Sequence, residues 1–207
     1  MKIRLFTWLM RPLLHRIAPK VWAGNLSKSQ IDLVLTDTWK RYSVLAPDLG
    51  KQPNLRTWLV MNFACLTLSG YQALLEMGID SDEAYEMVSR LTWQVTFGVT
   101  RTADRISKPF FRDNQRRMEG LVDLVMSLVF FRPAYRTEKG QLPGGFYMNM
   151  HSCPVAEYLA ASNTADLCIS AWCGVDGGLV EVLGGRLERG GTIAMGAEYC
   201  DFKFFVE

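Results

Sequence analysis

The sequence is short of the residues on which many enzyme chemistries rest. Histidine occurs only at His15 and His151, and no GxSxG elbow is present, so a Ser-His-Asp triad is not indicated. Charge of one sign is not in excess: 23 basic against 21 acidic side chains leave a net charge of +2. No strong field favours nucleic acid, no motif for it occurs, and nucleic acid is not expected as a partner. The five cysteines are an odd number, and Cys168 and Cys173 stand too far apart for a CxxC knuckle. Reduced thiols are therefore expected, with no disulfide framework and no metal. No stretch supplies the roughly 20 apolar residues of a membrane span. Arg11-Pro12 also breaks the apolar region that a secretory signal would need, so a cytoplasmic location is expected.

A hydrophobic share of 49% in 207 residues is enough for one core, and residues 1–207 read as a single domain. Residues 1–20 interleave Leu5, Phe6, Trp8, Leu9, Leu13, Leu14 and Ile17 with Lys2, Arg4, Arg11, His15, Arg16 and Lys20. This basic amphipathic segment has two readings. The favoured one is a helix packed on the body; the other is an interfacial helix making peripheral contact with anionic lipid.

Residues 27–131 read as helices. Ser27 or Ser29 can cap one that carries Ile31, Leu35, Thr38, Trp39 and Tyr42, and a second starts after Pro53-Asn54 and stops at Gly78. Ser81-Asp82-Glu83 opens a third toward Arg105, and a fourth begins near Asp113 with Met118, Leu121, Leu124, Val125 and Leu128 at helical spacing. The adjacent Arg116 and Arg117 read as a solvated helix face. From Arg132 to Gly145, glycines and prolines predict a linker loop.

Residues 145–207 carry an α+β pattern. A short strand is expected over Phe146–Met150, helices from Pro154 and from Asn163-Thr164, and two strands over Gly185–Ala194 and Tyr199–Val206. The fold class is thus α+β: a helical bundle or shell, then a small antiparallel sheet with two or three short helices.

This last part also concentrates the reactive side chains. Cys173 and Asp176 lie three apart and share a face if helical, so the carboxylate can serve something bound beside the sulfur. The final strand can bring Cys200 to the same place, and Arg189 is the basic candidate for lowering a thiol pKa. Cys173, Asp176 and Cys200 are the catalytic candidates. Arg189, whose fork suits a substrate carboxylate, joins Asp201, Cys153, His151 and Trp172 as substrate-binding candidates. Plainer readings stand beside these. Free cysteines are commonly buried, as expected for Cys65 and Cys168; Asp176 could cap a helix; Asp201 could pair with Lys203 or Arg189; His151 could be an exposed loop residue, either that or a base near Cys153.

Taken in order, Cys153-Pro154 with Glu157-Tyr158, Cys173-Gly-Val-Asp176, Arg189-Gly-Gly-Thr192 and the ending Gly196-Ala-Glu-Tyr-Cys200-Asp201-Phe202-Lys203-Phe204 resemble the L-2-amino-thiazoline-4-carboxylic acid hydrolase family. The resemblance covers about sixty C-terminal residues. It implies a hydrolase that opens a cyclic C=N or related C–N bond of a small molecule, with no cofactor. The same region is distantly similar to ligand-binding domains of the vinyl-reductase type. Two alternatives follow: a non-catalytic small-molecule binding module, in which the cavity holds a ligand or mediates homodimerisation, and a membrane-associated accessory protein of a biosynthetic pathway.

Overall fold

The computed structural model describes residues 2–111 and 113–206, with Leu128 described by its backbone alone. Five long helices come first: α1 (Lys2–Trp22), α2 (Lys28–Leu45), α3 (Leu55–Glu76), α4 (Ser81–Ser107) and α5 (Asn114–Leu128). Their starts follow from side chains that satisfy otherwise unpaired amides. Ser27 and Gln30 form a reciprocal capping box for α2. Asn54 accepts from Thr57 N–H to open α3, and Asp113 accepts from Arg116 N–H to open α5. The cap of α4 is Asp80, one residue before the expected serine. Gly78, at φ +86°, turns the chain after α3 in a conformation that side chains disfavour.

By length and composition α3 is apolar enough to cross a membrane, contrary to the expectation that no segment is. Most of it is buried in the protein, however, with Val60, Ala64, Cys65, Leu68 and Leu74 in the core. Helix α1 packs through Phe6, Met10, Leu14, Ala18 and Trp22, and the Trp22 indole donates to the Met87 carbonyl of α4 at 3.0 Å.

In α5, Met118 and Leu121 are buried but Leu124 and Val125 are exposed; the Leu128 side chain lies outside the described residues. Arg117 corrects the solvated-face expectation. It is buried, donates to Asp104 at 2.5 Å and donates to the Leu183 carbonyl at 3.0 Å. A carboxylate thirteen residues away on α4 lies outside the local spacing that shows helix-surface pairs.

The second part contains β1 (Thr137–Leu142), β2 (Gly145–Met150), α6 (Pro154–Ala161), α7 (Ala165–Cys168), a π-helical turn (Ile169–Cys173), α8 (Asp176–Val182), β3 (Gly185–Glu188) and β4 (Cys200–Val206). The sheet is antiparallel in the order β1-β2-β4-β3. Strand β1 lies inside the expected linker. Its sequence, Thr-Glu-Lys-Gly-Gln-Leu, has no apolar alternation, and backbone pairing to β2 places it at the sheet edge. Lys139 ties it to Glu119 and Asp123 of α5 at 2.9 and 2.8 Å.

The expected strand over Gly185–Ala194 is shorter, because the chain leaves the sheet after Glu188. Arg189 and Thr192 are therefore on a loop, followed by a short 3₁₀ turn over Ile193–Met195. Inward-facing Phe146 and Phe204 stack at 4.7 Å across β2 and β4, anchoring the sheet on the helices.

Candidate active site

The site lies where the π turn, the start of α8, the Arg189–Met195 loop and the first residues of β4 meet. An i→i+5 hydrogen bond, Gly174 N–H to the Ile169 carbonyl at 2.7 Å, closes the π turn. In a regular α-helix, residues five apart point in different directions. Here Cys168 and Cys173 come together, close enough for each to shift the ionisation of the other. Glycine is required at 174, since a Cβ there would stand 2.6 Å from the Ser170 carbonyl oxygen. From α4, the Ser89 hydroxyl donates to that same carbonyl at 2.9 Å.

Asp176 follows at the start of α8. It is not the helix cap, which is Val175, and makes no capping bond. Its carboxylate instead accepts from Arg189 at 2.9 Å, while the second arm of Arg189 donates to the Cys173 carbonyl at 3.0 Å. One guanidinium thus fastens both ends of the Cys173–Asp176 step. The same cation lies 5.6 Å over the Phe202 ring.

The Arg189–Met195 loop is fixed by two consecutive residues of β4. Asp201 accepts from the Gly190 and Gly191 amides at 2.9 and 2.8 Å, and the Cys200 sulfur accepts from Ile193 N–H at 3.3 Å. Alternation along the strand makes this double hold available, because neighbouring side chains leave on opposite faces. Thr192, fully buried between these anchors, accepts from Met195 N–H at 3.2 Å and lies near enough to Cys173 to favour its ionisation.

These contacts separate the thiols electrostatically. The neighbouring Cys168 lowers the Cys173 pKa, with Arg189 and Thr192 acting in the same direction against burial and the Asp176 charge. The same proximity, with burial, raises the Cys168 pKa. Burial pushes Cys153 up to about 12 and also raises Cys200, despite the amides that face each sulfur. Cys173 is therefore the thiol in this group prepared to ionise. Burial raises Asp176 to about 6 even though Arg189 pulls it down. For Asp201 burial opposes ionisation, but the Gly191 and Gly190 amides, its own amide and Lys203 leave its pKa lowered.

Of the residues singled out from sequence, Cys153, Cys173, Asp176, Arg189 and Cys200 converge here. Asp201 supports them through the loop. His151 lies 3.7 Å from Glu138 and faces the Tyr199 ring at 5.3 Å. Trp172 is half-buried, and its buried indole N–H has no partner among the described residues. Two contributors were missed. Cys168 reads as an ordinary core cysteine, and Thr192 was noted without a role; the five-residue Cys168–Cys173 spacing is the signal, once a π turn is considered.

An open cleft of about 280 Å³ borders the loop, lined by Gly190, Gly191, Ala197, Glu198, Tyr199 and Asp201. A larger cleft of about 340 Å³ lies against α4 and α8, between Phe97, Arg101, Asp104, Arg105, Lys108 and Val182, without a thiol in its lining. The smaller cleft has no thiol in its lining either, and it meets the thiol group only through Gly190, Gly191 and Asp201 of the loop contact. Among the described residues, no group of three or more His, Cys, Asp or Glu could hold a metal ion.

The family model described as L-2-amino-thiazoline-4-carboxylic acid hydrolase matches residues 62–204, which is more than half of the chain. It spans α4, β1 to β3, β4 as far as Phe204 and every residue of the thiol group. No curated protein and no solved structure matches the chain.

Proposed function

The chain belongs to the L-2-amino-thiazoline-4-carboxylic acid hydrolase family, and from that premise we propose that it hydrolyses a C–N bond at an amidine-like carbon of a small molecule, with Cys173 as nucleophile. The observation that carries this reading is the double hold of Arg189, which bonds Asp176 and the Cys173 carbonyl at once and sets a carboxylate and a cation beside one thiol whose pKa is lowered. Asp176, raised to about 6, has a pKa suited to giving and taking a proton near neutrality.

In the proposed sequence, the Cys173 thiolate adds to the substrate carbon and forms a C–S bond. The ring C–N bond then breaks, and the departing nitrogen takes a proton from Asp176. A thioimidate remains on Cys173. Water adds to that carbon, its proton passing to Asp176, and the C–S bond breaks to release the product carbonyl and the thiolate. One water is consumed, and both residues return to their starting states. Arg189 positions Asp176 against Cys173 and stabilises the thiolate; Cys200 and Cys153, held protonated by burial, line the site.

The test is ring opening of cyclic amidines and thiazolines by the purified protein, followed by mass spectrometry. Turnover is expected for the wild type, with loss of at least about a hundredfold in Cys173→Ser and Asp176→Asn while the fold is retained. Iodoacetamide at neutral pH should label Cys173 ahead of the other cysteines. Ligand binding without turnover, unchanged in Cys173→Ser, would instead identify a non-catalytic binding module.

A further inference from the structure

We propose that the outward face of α1 seats this protein on an anionic lipid bilayer. The helix has two apolar faces, and the protein body uses one of them. Phe6, Met10, Leu14, Ala18 and Trp22 recur every fourth residue and are buried. Trp8 is 71% exposed, Leu5 57% and Leu9 55%, with Leu13 exposed a turn further on. At about 3.6 residues per turn these four fall on the side of the helix turned away from the core. Single exposed apolar residues are ordinary, but a leucine-and-tryptophan stripe at helical spacing is an unpartnered surface.

Charge identifies the occupant. Lys2, Arg4, Arg11, Arg16 and Lys20 are all exposed, and the helix contains no Asp or Glu. Everywhere else in the chain the sign reverses, since the other 18 basic residues are outnumbered by 21 acidic ones. The positive charge is therefore concentrated around the apolar stripe. Basic side chains beside exposed leucine and tryptophan match a surface with an apolar interior and negative headgroups. The indole of Trp8 suits the boundary between them, and the long cationic side chains can reach outward to phosphates. Because Trp22 and the buried face hold α1 along the body, the helix would lie flat in the interface.

Removing residues 1–20 would empty the core of Phe6, Met10, Leu14 and Ala18, so the test uses outward residues in the full chain. Co-sedimentation is measured with phosphatidylcholine vesicles and with vesicles that also contain phosphatidylglycerol. Wild-type protein should pellet with the mixed vesicles and remain in solution with pure phosphatidylcholine. Leu5→Ser/Trp8→Ser/Leu9→Ser should abolish pelleting while circular dichroism and thermal melting stay as in the wild type. Arg4→Gln/Arg11→Gln should weaken binding about thirtyfold, and added salt should weaken wild-type binding. The proposal is overturned if wild-type protein ignores mixed vesicles or the triple-serine variant pellets equally well. It is also overturned if the wild type is a dimer that the same variant dissociates without any vesicle binding, which would give the face to a second copy.

Discussion

Two arginine–aspartate pairs hold opposite ends of α8, and they differ in how far water reaches them. Arg117 donates to Asp104 and to the Leu183 carbonyl just beyond the end of α8. Arg189 donates to Asp176, at its start, and to the Cys173 carbonyl. Each guanidinium thus joins one carboxylate to one backbone oxygen. The Arg117 and Asp104 side chains are only 5% and 6% exposed, and Lys108 adds a second cation at 2.8 Å. Arg189 and Asp176 are 19% and 34% exposed and lie against the thiols. The first pair is a sealed brace. The second is more open at the surface, and burial of its inner side raises the carboxylate to about 6.

The strongest test of this contrast is Arg117→Met, which leaves Asp104 buried with only Lys108 beside it. It should cost about 3–5 kcal/mol in urea unfolding, with part restored by adding Asp104→Asn. A cost no larger than that of breaking the exposed pair would erase the distinction. Gly174→Ala should come next, at about 1–3 kcal/mol, because its methyl group would collide with the Ser170 carbonyl. The same change should slow iodoacetamide labelling of Cys173, since the π turn would no longer align it with Cys168.

Arg189→Gln should cost no more than about 1 kcal/mol of stability, as expected for a partly exposed pair. Its larger effect should be chemical: labelling of Cys173 should require higher pH, because a cation that lowers its pKa is gone. Labelling at an unchanged pH would remove Arg189 from the site's electrostatics.

A further effect concerns pH and stability. Asp176 rises from its ordinary 3.8 to about 6 on folding, so the native state retains its proton longer than the unfolded chain. Its contribution to stability therefore falls as pH rises from about 4 to about 6, and Asp176→Asn should flatten that slope. Asp201 has the opposite sign. Its lowered pKa gives stability above the ordinary carboxylate range that is lost as pH falls through the folded value, and Asp201→Asn should remove this acid sensitivity.

The helices were legible because their signals are local. Ser27, Asn54 and Asp113 are caps that sit beside the amides they satisfy, and Gly78 marks a stop in its own backbone angle. Strand β1 was not legible, since its pairing to β2 uses backbone groups that any sequence supplies. Gly190 and Gly191 sat inside an expected strand, but their amides turn to Asp201, a partner ten or more residues away. In the site, Cys173, Asp176, Arg189 and Cys200 were recognisable by chemical type. What joins them was hidden in a five-residue turn and in buried contacts that only folding assembles.

The indole of Trp22 grips α4 at Met87, and two residues further along that helix Ser89 grips the π turn at Ser170. A hydrogen-bonded connection therefore runs from α1 through α4 to the turn that brings the thiols together. The two fastenings sit within one helical turn of each other on α4, so α1 and the π turn share the same short stretch of that helix as their anchor.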